Sequence, residues 1–282
     1  MISIVKKALL SMTLIICTGS IAIAADSIVI KGSTTVLPIT QTALEAYAKV
    51  NKGVQISLSG GGSGEGIKAI IDKTADIGNS SREIKKEEIA LATSKGIKPL
   101  GHVVAYDALI PVVHPKNKVK GLSTDQLSQI YQGKITNWKE VGGDDLKIIV
   151  ISRDSSSGTF ESWDHFVMKK NKVTPKAQML ASNGAIYTAI SKNKYAISYL
   201  GMGYVKKGVK ALEVNGIVAT PETALSKQYP FSRELYMYTN GEPTGETAKF
   251  IGFLKSPEGQ KIVAKEGFVP TSAPAKAKGG KK

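Results

Sequence analysis

The sequence predicts an α/β protein built from two lobes, and three observations lead to this prediction. Short β-rich runs alternate with segments whose apolar residues recur at helical spacing, which is typical of a sheet covered by helices. Two long β-rich runs lie far apart in the chain, at residues 102–114 and 233–239. A second set of alternating elements lies between these two runs. A single continuous sheet is the alternative arrangement of the same elements.

The predicted strands and helices follow one another along the whole chain. In the first part they are a strand at residues 27–30, a helix with Pro38 near its start, a strand at 54–58, a helix around 67–71 and an extended segment at 76–78. In the second part they are a helix near 124–131, a strand at 147–152, a helix at 159–169 and a strand at 196–200. Further helices are expected within residues 244–266.

The two long β-rich runs set the expected lobe boundaries. We expect a discontinuous first lobe formed by residues 26–105 and 236–270, and a second lobe formed by residues 106–235. The chain then crosses between the lobes twice, once in each long run. Three short loops fall at strand-to-helix junctions in both expected lobes.

The N-terminus has the pattern of a signal peptide. Two lysines precede an apolar run at residues 8–16, and alanines at positions 22 and 24 suit a signal peptidase. We expect residues 1–25 to be removed on export, which predicts a periplasmic protein. The single cysteine, Cys17, lies in this segment, so the mature chain has no thiol. Lipidation of Cys17 fits less well, because Ile16 rather than a small residue precedes it.

The charge of the chain favours anionic partners without selecting one. The formal net charge is +15, and part of the excess lies in residues 271–282, which are expected to be a disordered basic tail. Export argues against a nucleic-acid partner, so we expect none. An adhesion or signalling role for the tail, through contact with acidic polymers, is an alternative use of this charge.

Three predicted loops share one composition. The loops at residues 32–35, 60–66 and 153–159 each follow a predicted strand, precede a predicted helix, and combine glycine with hydroxyl side chains. A helix N-terminus presents unpaired N–H groups and partial positive charge, which suit an anion. One such loop is ordinarily only a helix cap. Three of them in a basic, exported chain indicate a shared anion site beyond the carboxyl ends of the strands.

Arg153 and Asp76 add charged groups to this hypothesis. The guanidinium of Arg153 can form two parallel hydrogen bonds to an oxyanion, although a surface ion pair with Asp154 is the alternative. The carboxylate of Asp76 can accept a hydrogen bond from an anion that still carries a proton. Phosphate carries such a proton at neutral pH and sulfate does not, so Asp76 would favour phosphate. A turn cap is an equally good interpretation of Asp76.

Patterns typical of metal sites and of common hydrolases are missing from the sequence. His102, His114 and His165 lack the spacing of metal ligands, so we expect no metal and no cofactor. The second loop does not match a nucleotide P-loop, because Ile67 follows its last glycine. We therefore expect a binding protein rather than an enzyme. An exported hydrolase that uses a serine of the third loop, with His165 as its base, is the alternative.

Five segments occur in an order that resembles the phosphate-binding proteins of phosphate ABC transporters. They are IKGSTTVLP, GGGSGEGIKAI, ADIGNSSR, GKITNWKEVGG and SRDSSSGTFESW. The resemblance spans roughly residues 27–270 and implies the type 2 periplasmic-binding fold, with two α/β lobes joined by two crossing strands. It also implies that the protein captures inorganic phosphate and delivers it to a membrane permease; we expect a monomer. The same fold binding molybdate, tungstate or sulfate is the alternative.

The resemblance also implies a set of phosphate-binding residues. They are Ser33, Thr34, Thr35, Ser63, Asp76, Arg153, Ser157, Gly158 and Thr159. The chain departs from the family pattern at Ser155, where an acidic residue that holds the arginine is often found. Asp154 and Glu161 are the candidates to replace it.

Overall fold

The computed structural model describes residues 27–271. The predicted signal peptide, with Cys17, and residues 272–282 of the predicted tail lie outside the described residues. Thr271, the first residue of the predicted tail, is part of the fold, because its N and Oγ1 donate to Gln260 Oε1 at 2.7 and 3.0 Å. Within residues 27–271, the structure contains no helix with the length and apolar character needed to span a bilayer.

Strands and helices alternate through most of the described chain. The strands are β1 (Ser27–Gly32), β2 (Gln55–Gly60), β3 (Ile77–Ser80), β4 (Pro99–Val113), β5 (Gly121–Leu122), β6 (Ile149–Arg153), β7 (Gln178–Leu180), β8 (Ala196–Gly201), β9 (Lys210–Ala211), β10 (Glu213–Val214) and β11 (Ser232–Asn240). The α-helices are α1 (Leu37–Val50), α2 (Ser63–Ile71), α3 (Lys86–Ser94), α4 (Thr124–Gln132), α5 (Gly158–Trp163), α6 (Asn183–Lys192), α7 (Pro221–Leu225), α8 (Gly245–Lys255) and α9 (Pro257–Lys265).

The strands form one hydrogen-bonded path in the order β2-β1-β3-β11-β4-β8-β6-β7, with β9 added beside β4. Strands β1, β2 and β3 are parallel, as are β6, β7 and β8. The loops that follow β1, β2 and β6 therefore leave the carboxyl ends of parallel strands, where ligands bind in α/β proteins. Strands β5 and β10 form a separate two-stranded sheet.

The two long strands β4 and β11 join the lobes. The first part of β4 pairs antiparallel with β11, from Pro99 opposite Asn240 to Ala108 opposite Ser232. The second part of β4 pairs instead with β8. Between Leu235 and the next residue of β11 the register shifts, which marks a β-bulge in the paired strands. The chain therefore passes from one lobe to the other in both long β-rich runs, as the sequence predicted.

The hydrophobic core is divided, although the strands form one path. One set of clusters packs around β1, β3 and the later part of β11, with Ile30 and Phe250 on one side and Ile70 and Tyr238 on the other. A separate cluster draws almost entirely on residues 108–231. We propose residues 26–105 with 236–270, and residues 106–235, as the two lobes; the division of the core supports these boundaries.

The predicted helix at residues 159–169 differs from the structure. Helix α5 ends at Trp163, and a π-helical turn, Asp164–Met168, continues it. Lys169 ends this turn with a positive φ of 48°. The wider turn keeps Trp163, Val167 and Met168 buried. The apolar side chains of α5 and of the π-helical turn therefore form one continuous buried face.

Helix α2 lies unusually close to the strands beneath it. A Cβ atom on Gly66 would lie 2.7 Å from Asn79 O, 2.8 Å from Lys31 O and 2.9 Å from Gly32 Cα. All three atoms belong to the backbone of β1 or β3, which cannot rotate away as a side chain can. Only glycine therefore allows this approach, which sets the position of the second loop relative to the first.

We predict that Gly66→Ala lowers the free energy of unfolding by about 1–3 kcal/mol, because the added methyl group overpacks α2 against the sheet. Urea denaturation measures this change. The matched control is Gly252→Ala in α8, where an added Cβ meets no atom of residues 27–271 within 4 Å. This substitution should raise the free energy of unfolding by about 0.5–1 kcal/mol, since alanine favours the helix. Equal effects of the two substitutions would contradict the close packing of α2.

Candidate functional site

The three glycine- and hydroxyl-bearing loops meet between the lobes. The first loop connects β1 to α1, the second connects β2 to α2, and the third connects β6 to α5. The second and third loops touch directly, because Gly64 N donates to Ser156 O at 3.0 Å and Ser156 Oγ donates to Gly61 O at 3.1 Å. Both hydrogen bonds join one lobe to the other, so the lobes are closed on each other.

The first loop presents two threonine hydroxyls to the second lobe. Ser33 Oγ accepts from Thr35 N at 3.1 Å, which shapes the turn. Thr34 Oγ1 then lies 3.4 Å from Arg153 Nη2, and Thr35 Oγ1 lies 2.9 Å from Thr159 Oγ1. The three hydroxyl residues of this loop are buried. The loop therefore reaches the arginine and the third loop.

The second loop brings Ser63 against a serine outside the predicted set. Ser63 Oγ accepts from Ser81 N at 3.0 Å and lies 3.3 Å from Ser81 Oγ. A Cβ on Gly158 would lie 2.3 Å from Ser63 Oγ and 2.9 Å from Ser81 Oγ, so Gly158 contacts both hydroxyls closely. Ser81 directly follows β3, a strand parallel to β1. Its position at the carboxyl end of a strand, in ADIGNSSR, was the signal in the sequence.

The third loop caps α5 and buries its hydroxyls. Ser157 is the N-cap residue, and its Oγ accepts from Phe160 N at 3.2 Å. Thr159 lies in the first turn of the helix and contacts Thr35 across the lobes. Ser157 and Thr159 are each about 1% exposed. Both hydroxyl groups therefore lie in the interior of the protein rather than in solvent.

Arg153 is buried without a carboxylate partner. Its Nε donates to Leu180 O at 2.9 Å, and its Nη2 donates to Ala181 O at 2.8 Å. Its Nη1 is buried and has no hydrogen-bond partner among residues 27–271. Within the same residues, no carboxylate forms an ion pair with this guanidinium. Burial lowers the pKa of Arg153 from its ordinary value, which expresses the cost of an uncompensated buried cation.

Neither acidic candidate holds Arg153. Asp154 Oδ1 accepts from Ser156 N at 3.0 Å and from Ser156 Oγ at 2.5 Å. Glu161 pairs instead with Arg82 and Lys85 of the first lobe. Two backbone carbonyls therefore fix the guanidinium where the sequence suggests a carboxylate, and they leave its full positive charge in the site.

Asp76 lies apart from this cluster, which corrects the expectation that its carboxylate accepts a ligand proton. The residue is exposed, and its Oδ2 accepts from Val29 N at 2.8 Å. Asp76 precedes β3, whereas the site residues follow their strands. Strands β1 and β3 are parallel, so the residues before β3 lie near the amino ends of the strands. The loop that follows β1 lies at the carboxyl ends.

Two residues outside the three loops donate hydrogen bonds to the threonine hydroxyls. Asn183 Nδ2 donates to Thr34 Oγ1 at 3.1 Å and to Thr35 Oγ1 at 3.0 Å. Arg233 Nη2 donates to Thr159 Oγ1 at 3.3 Å. Arg233 also pairs with Asp107, the two partners being 5% and 0% exposed. No local signal in the sequence pointed to Asn183, because it comes from α6, outside the three loops.

The arrangement supplies hydrogen-bond donors and one uncompensated positive charge, which suits an oxyanion. His165, the base in the hydrolase alternative, is exposed with its ring against Phe166, and among residues 27–271 it makes no hydrogen bond to a serine of the third loop. Residues 27–271 also contain no group of three or more His, Cys, Asp and Glu side chains that could hold a metal ion.

Comparison with known sequences gives the family. Residues 20–258 match the family described as the PBP superfamily domain. The chain is 37% identical over 252 residues to the phosphate-binding protein PstS of Borreliella burgdorferi, which covers 85% of this chain and 88% of that protein. It is 32% identical over 251 residues to the phosphate-binding protein PstS of Bacillus subtilis, which covers 88% of this chain and 82% of that protein.

Solved structures agree with the sequence matches. The chain resembles a putative phosphate ABC transporter substrate-binding protein with bound phosphate from Clostridium perfringens, with a TM-score of 0.81, 38% identity, and coverage of 88% of this chain and 100% of that one. It also resembles an ABC-type phosphate transport receptor from Vibrio cholerae, with a TM-score of 0.70, 32% identity, and coverage of 86% and 99%. The two-lobed fold thus has direct counterparts, and the chain belongs to the PstS family of phosphate-binding proteins, with the type 2 periplasmic-binding fold.

Proposed function

We propose that this protein captures inorganic phosphate between its lobes and delivers it to the membrane permease of an ABC transporter. The buried guanidinium of Arg153 carries the proposal, because it lacks a carboxylate among the described residues and keeps an unused N–H group. An anion would compensate this charge. The relatives named above are phosphate-binding proteins, which supports phosphate as that anion.

The proposed ligand contacts come from both lobes. They are Ser33, Thr34, Thr35, Ser63, Ser81, Arg153, Ser157, Gly158 and Thr159. The oxygens of Ser33 and Ser157 accept from backbone N–H groups of their own turns, and their O–H protons remain to be donated to a ligand. Ser81 replaces Asp76 in this set, because its hydroxyl lies close to both Ser63 and Gly158.

Capture by such a protein is a closing motion without a chemical reaction. Phosphate enters between open lobes, and rotation about β4 and β11 brings the third loop onto the first and second. The interlobe hydrogen bonds between Thr35 and Thr159, and between Ser156 and Gly61, belong to the closed form. The closed form then docks on the permease.

Selection of phosphate over sulfate falls to hydroxyl groups in this proposal. Either oxygen of the Ser63–Ser81 pair can be the donor, so one of them can turn to accept the proton of a bound phosphate. Sulfate has no such proton and leaves the accepting hydroxyl unmatched. Molybdate and tungstate lack this proton as well, which makes them weaker alternatives.

The protein acts as a monomer in the periplasm in this proposal. The N-terminal pattern supports export to the periplasm, and the same export supports the absence of a nucleic-acid partner. The binding site is assembled within one chain, which supports a monomer. A binding protein of this kind needs no cofactor and catalyses no reaction.

Calorimetric titration of the mature chain should show one phosphate site with micromolar or tighter affinity, about −8 kcal/mol or more favourable. Arsenate, which carries a comparable proton, should compete. Sulfate should bind at least about tenfold more weakly, since one hydrogen bond stays unmade. Equal affinity for phosphate and sulfate would contradict the role given to the Ser63–Ser81 pair.

Arg153→Met should weaken phosphate binding by about 100-fold or more, because it removes the buried positive charge and the Nη1 group, the donor of Arg153 that has no partner among residues 27–271. The same titration measures the loss, and circular dichroism checks that the variant folds. Arg153→Lys is the matched control: it keeps the charge without the planar fork, so its affinity should fall between those of the wild type and the Met variant. Unchanged affinity in the Met variant would exclude Arg153 as the anion-binding group.

Glu161→Lys should speed phosphate release by about tenfold, because it places like charges across the closed lobes. Glu161 of α5 pairs with buried Arg82 and, at 3.1 Å, with Lys85, and Glu88 holds Arg82 from the first lobe at 2.8 Å. Stopped-flow mixing with a phosphate chase measures the release rate. Asp164→Lys makes the same change of charge further along the helix and should leave release nearly unchanged. Equal effects of both variants would indicate that the change of net charge matters, rather than the ion pair between Glu161 and Arg82.

A further inference from the structure

Asn183 is fully buried at the start of α6, against the first loop. Its Nδ2 lies 3.1 Å from Thr34 Oγ1 and 3.0 Å from Thr35 Oγ1. Its Oδ1 accepts from Gly201 N at 3.5 Å. Because a backbone N–H can only donate, this contact orients the amide with its oxygen toward Gly201 and its NH₂ group toward the two threonines.

The hydrogen bond from Asn183 makes the Thr34 hydroxyl oxygen an acceptor. Thr34 Oγ1 also receives Arg153 Nη2 at 3.4 Å and Asn183 N at 3.5 Å, so each of its partners among residues 27–271 is an N–H donor. A hydroxyl whose oxygen accepts still has its own proton to give. The Thr34 O–H proton finds no acceptor in the described chain and is available to an anion.

Thr35 and Thr159 supply a second proton by the same logic. Thr35 Oγ1 accepts from Asn183, and Thr159 Oγ1 accepts from Arg233 Nη2. The two hydroxyl oxygens lie 2.9 Å apart, so one donates to the other. Whichever of the two donates, the other keeps an unused O–H group. The pair therefore offers one further donor.

We propose that Asn183 is a positioning residue that makes the hydroxyl of Thr34, and one hydroxyl of the Thr35–Thr159 pair, hydrogen-bond donors to the bound oxyanion. Asn183 belongs to the second lobe and the two threonines belong to the first. The hydroxyls consequently take this direction only when the lobes close, which couples closure to anion affinity. The inference rests on the proposed function, because it assumes an oxyanion in this site.

Asn183→Asp tests the proposal with almost no change of shape. A carboxylate accepts the threonine protons instead of donating to their oxygens, and it adds negative charge beside the anion. At pH 8 the variant should bind phosphate about 100-fold more weakly than the wild type, whereas Asn183→Ala, which only loses the donors, should bind about tenfold more weakly.

The pH dependence separates hydrogen-bond direction from packing. Once protonated, the introduced carboxyl group can donate again, so the penalty of Asn183→Asp relative to the wild type should shrink roughly tenfold between pH 8 and pH 5. The charged and titratable groups around the position are Arg153, Arg233, Asp107 and Tyr204. They occur in both proteins, as does the titration of phosphate, so the ratio of affinities at each pH removes their contribution.

Asn193→Asp is the matched control. It changes the same residue type at the other end of α6, where Asn193 Oδ1 accepts from Tyr195 N at 3.0 Å. A carboxylate can make the same contact, so phosphate affinity should stay within about twofold at every pH. A loss of affinity in this variant comparable to that of Asn183→Asp would point to the added charge alone and overturn the inference.

Each outcome separates this inference from the proposed function. If the wild type binds phosphate and Asn183→Asp matches Asn183→Ala with no dependence on pH, Asn183 only packs the lobes together and the inference is overturned. If the Asp variant does not fold, coupling between Asn183→Ala and Thr35→Val in a double-mutant cycle decides the question, and additive losses overturn it. If the wild type prefers arsenate or sulfate, the same ratios are measured with that anion. Binding of none of the three overturns both proposals.

Discussion

Burial of the Arg153 charge is the constraint around which the site is organised. A guanidinium taken out of water loses hydration that only hydrogen bonds and a counter-charge can replace. Two carbonyls at the end of β7 and just beyond it meet part of this need, and a threonine hydroxyl of the other lobe meets a little more. None of these groups carries negative charge. The closed site therefore has an electrostatic demand that an anion satisfies and water does not.

The fold explains how distant loops can share this charge. Strands β1, β2 and β6 all end toward the same cleft, and the long strands β4 and β11 carry the chain between the lobes. Glycine at position 66 lets α2 approach the sheet, and Gly158 brings the third loop against Ser63 and Ser81. Hydroxyl groups from two lobes thus lie together with one guanidinium, in an arrangement that needs the two lobes to be closed.

A second layer of polar residues gives the hydroxyls a direction. Serine and threonine hydroxyls can donate or accept, and an oxygen of an oxyanion that carries no proton is bound by groups that donate. Asn183 and the Arg233–Asp107 pair present N–H groups to the backs of the three threonines. Burial raises the pKa of Asp107, and the adjacent guanidinium of Arg233 opposes this rise. The threonine oxygens thus accept N–H groups of the protein, which leaves their O–H protons to be donated within the site.

The sequence by itself determined the alternation of strands and helices, the two crossing strands and the three loops, because these features depend on local periodicity and turn chemistry. It also singled out Arg153 as a candidate, because a position at the end of a strand is a local property. Only the tertiary structure decided that Asp76 lies at the amino ends of the strands, away from the three loops. It also decided that Ser81 contacts Ser63 and that Asn183 contacts the threonines of the first loop. Backbone carbonyls, rather than Asp154 or Glu161, hold the arginine. These outcomes depend on which ends of separate strands face one another and on contacts between residues far apart in the chain, and no local pattern encodes such contacts.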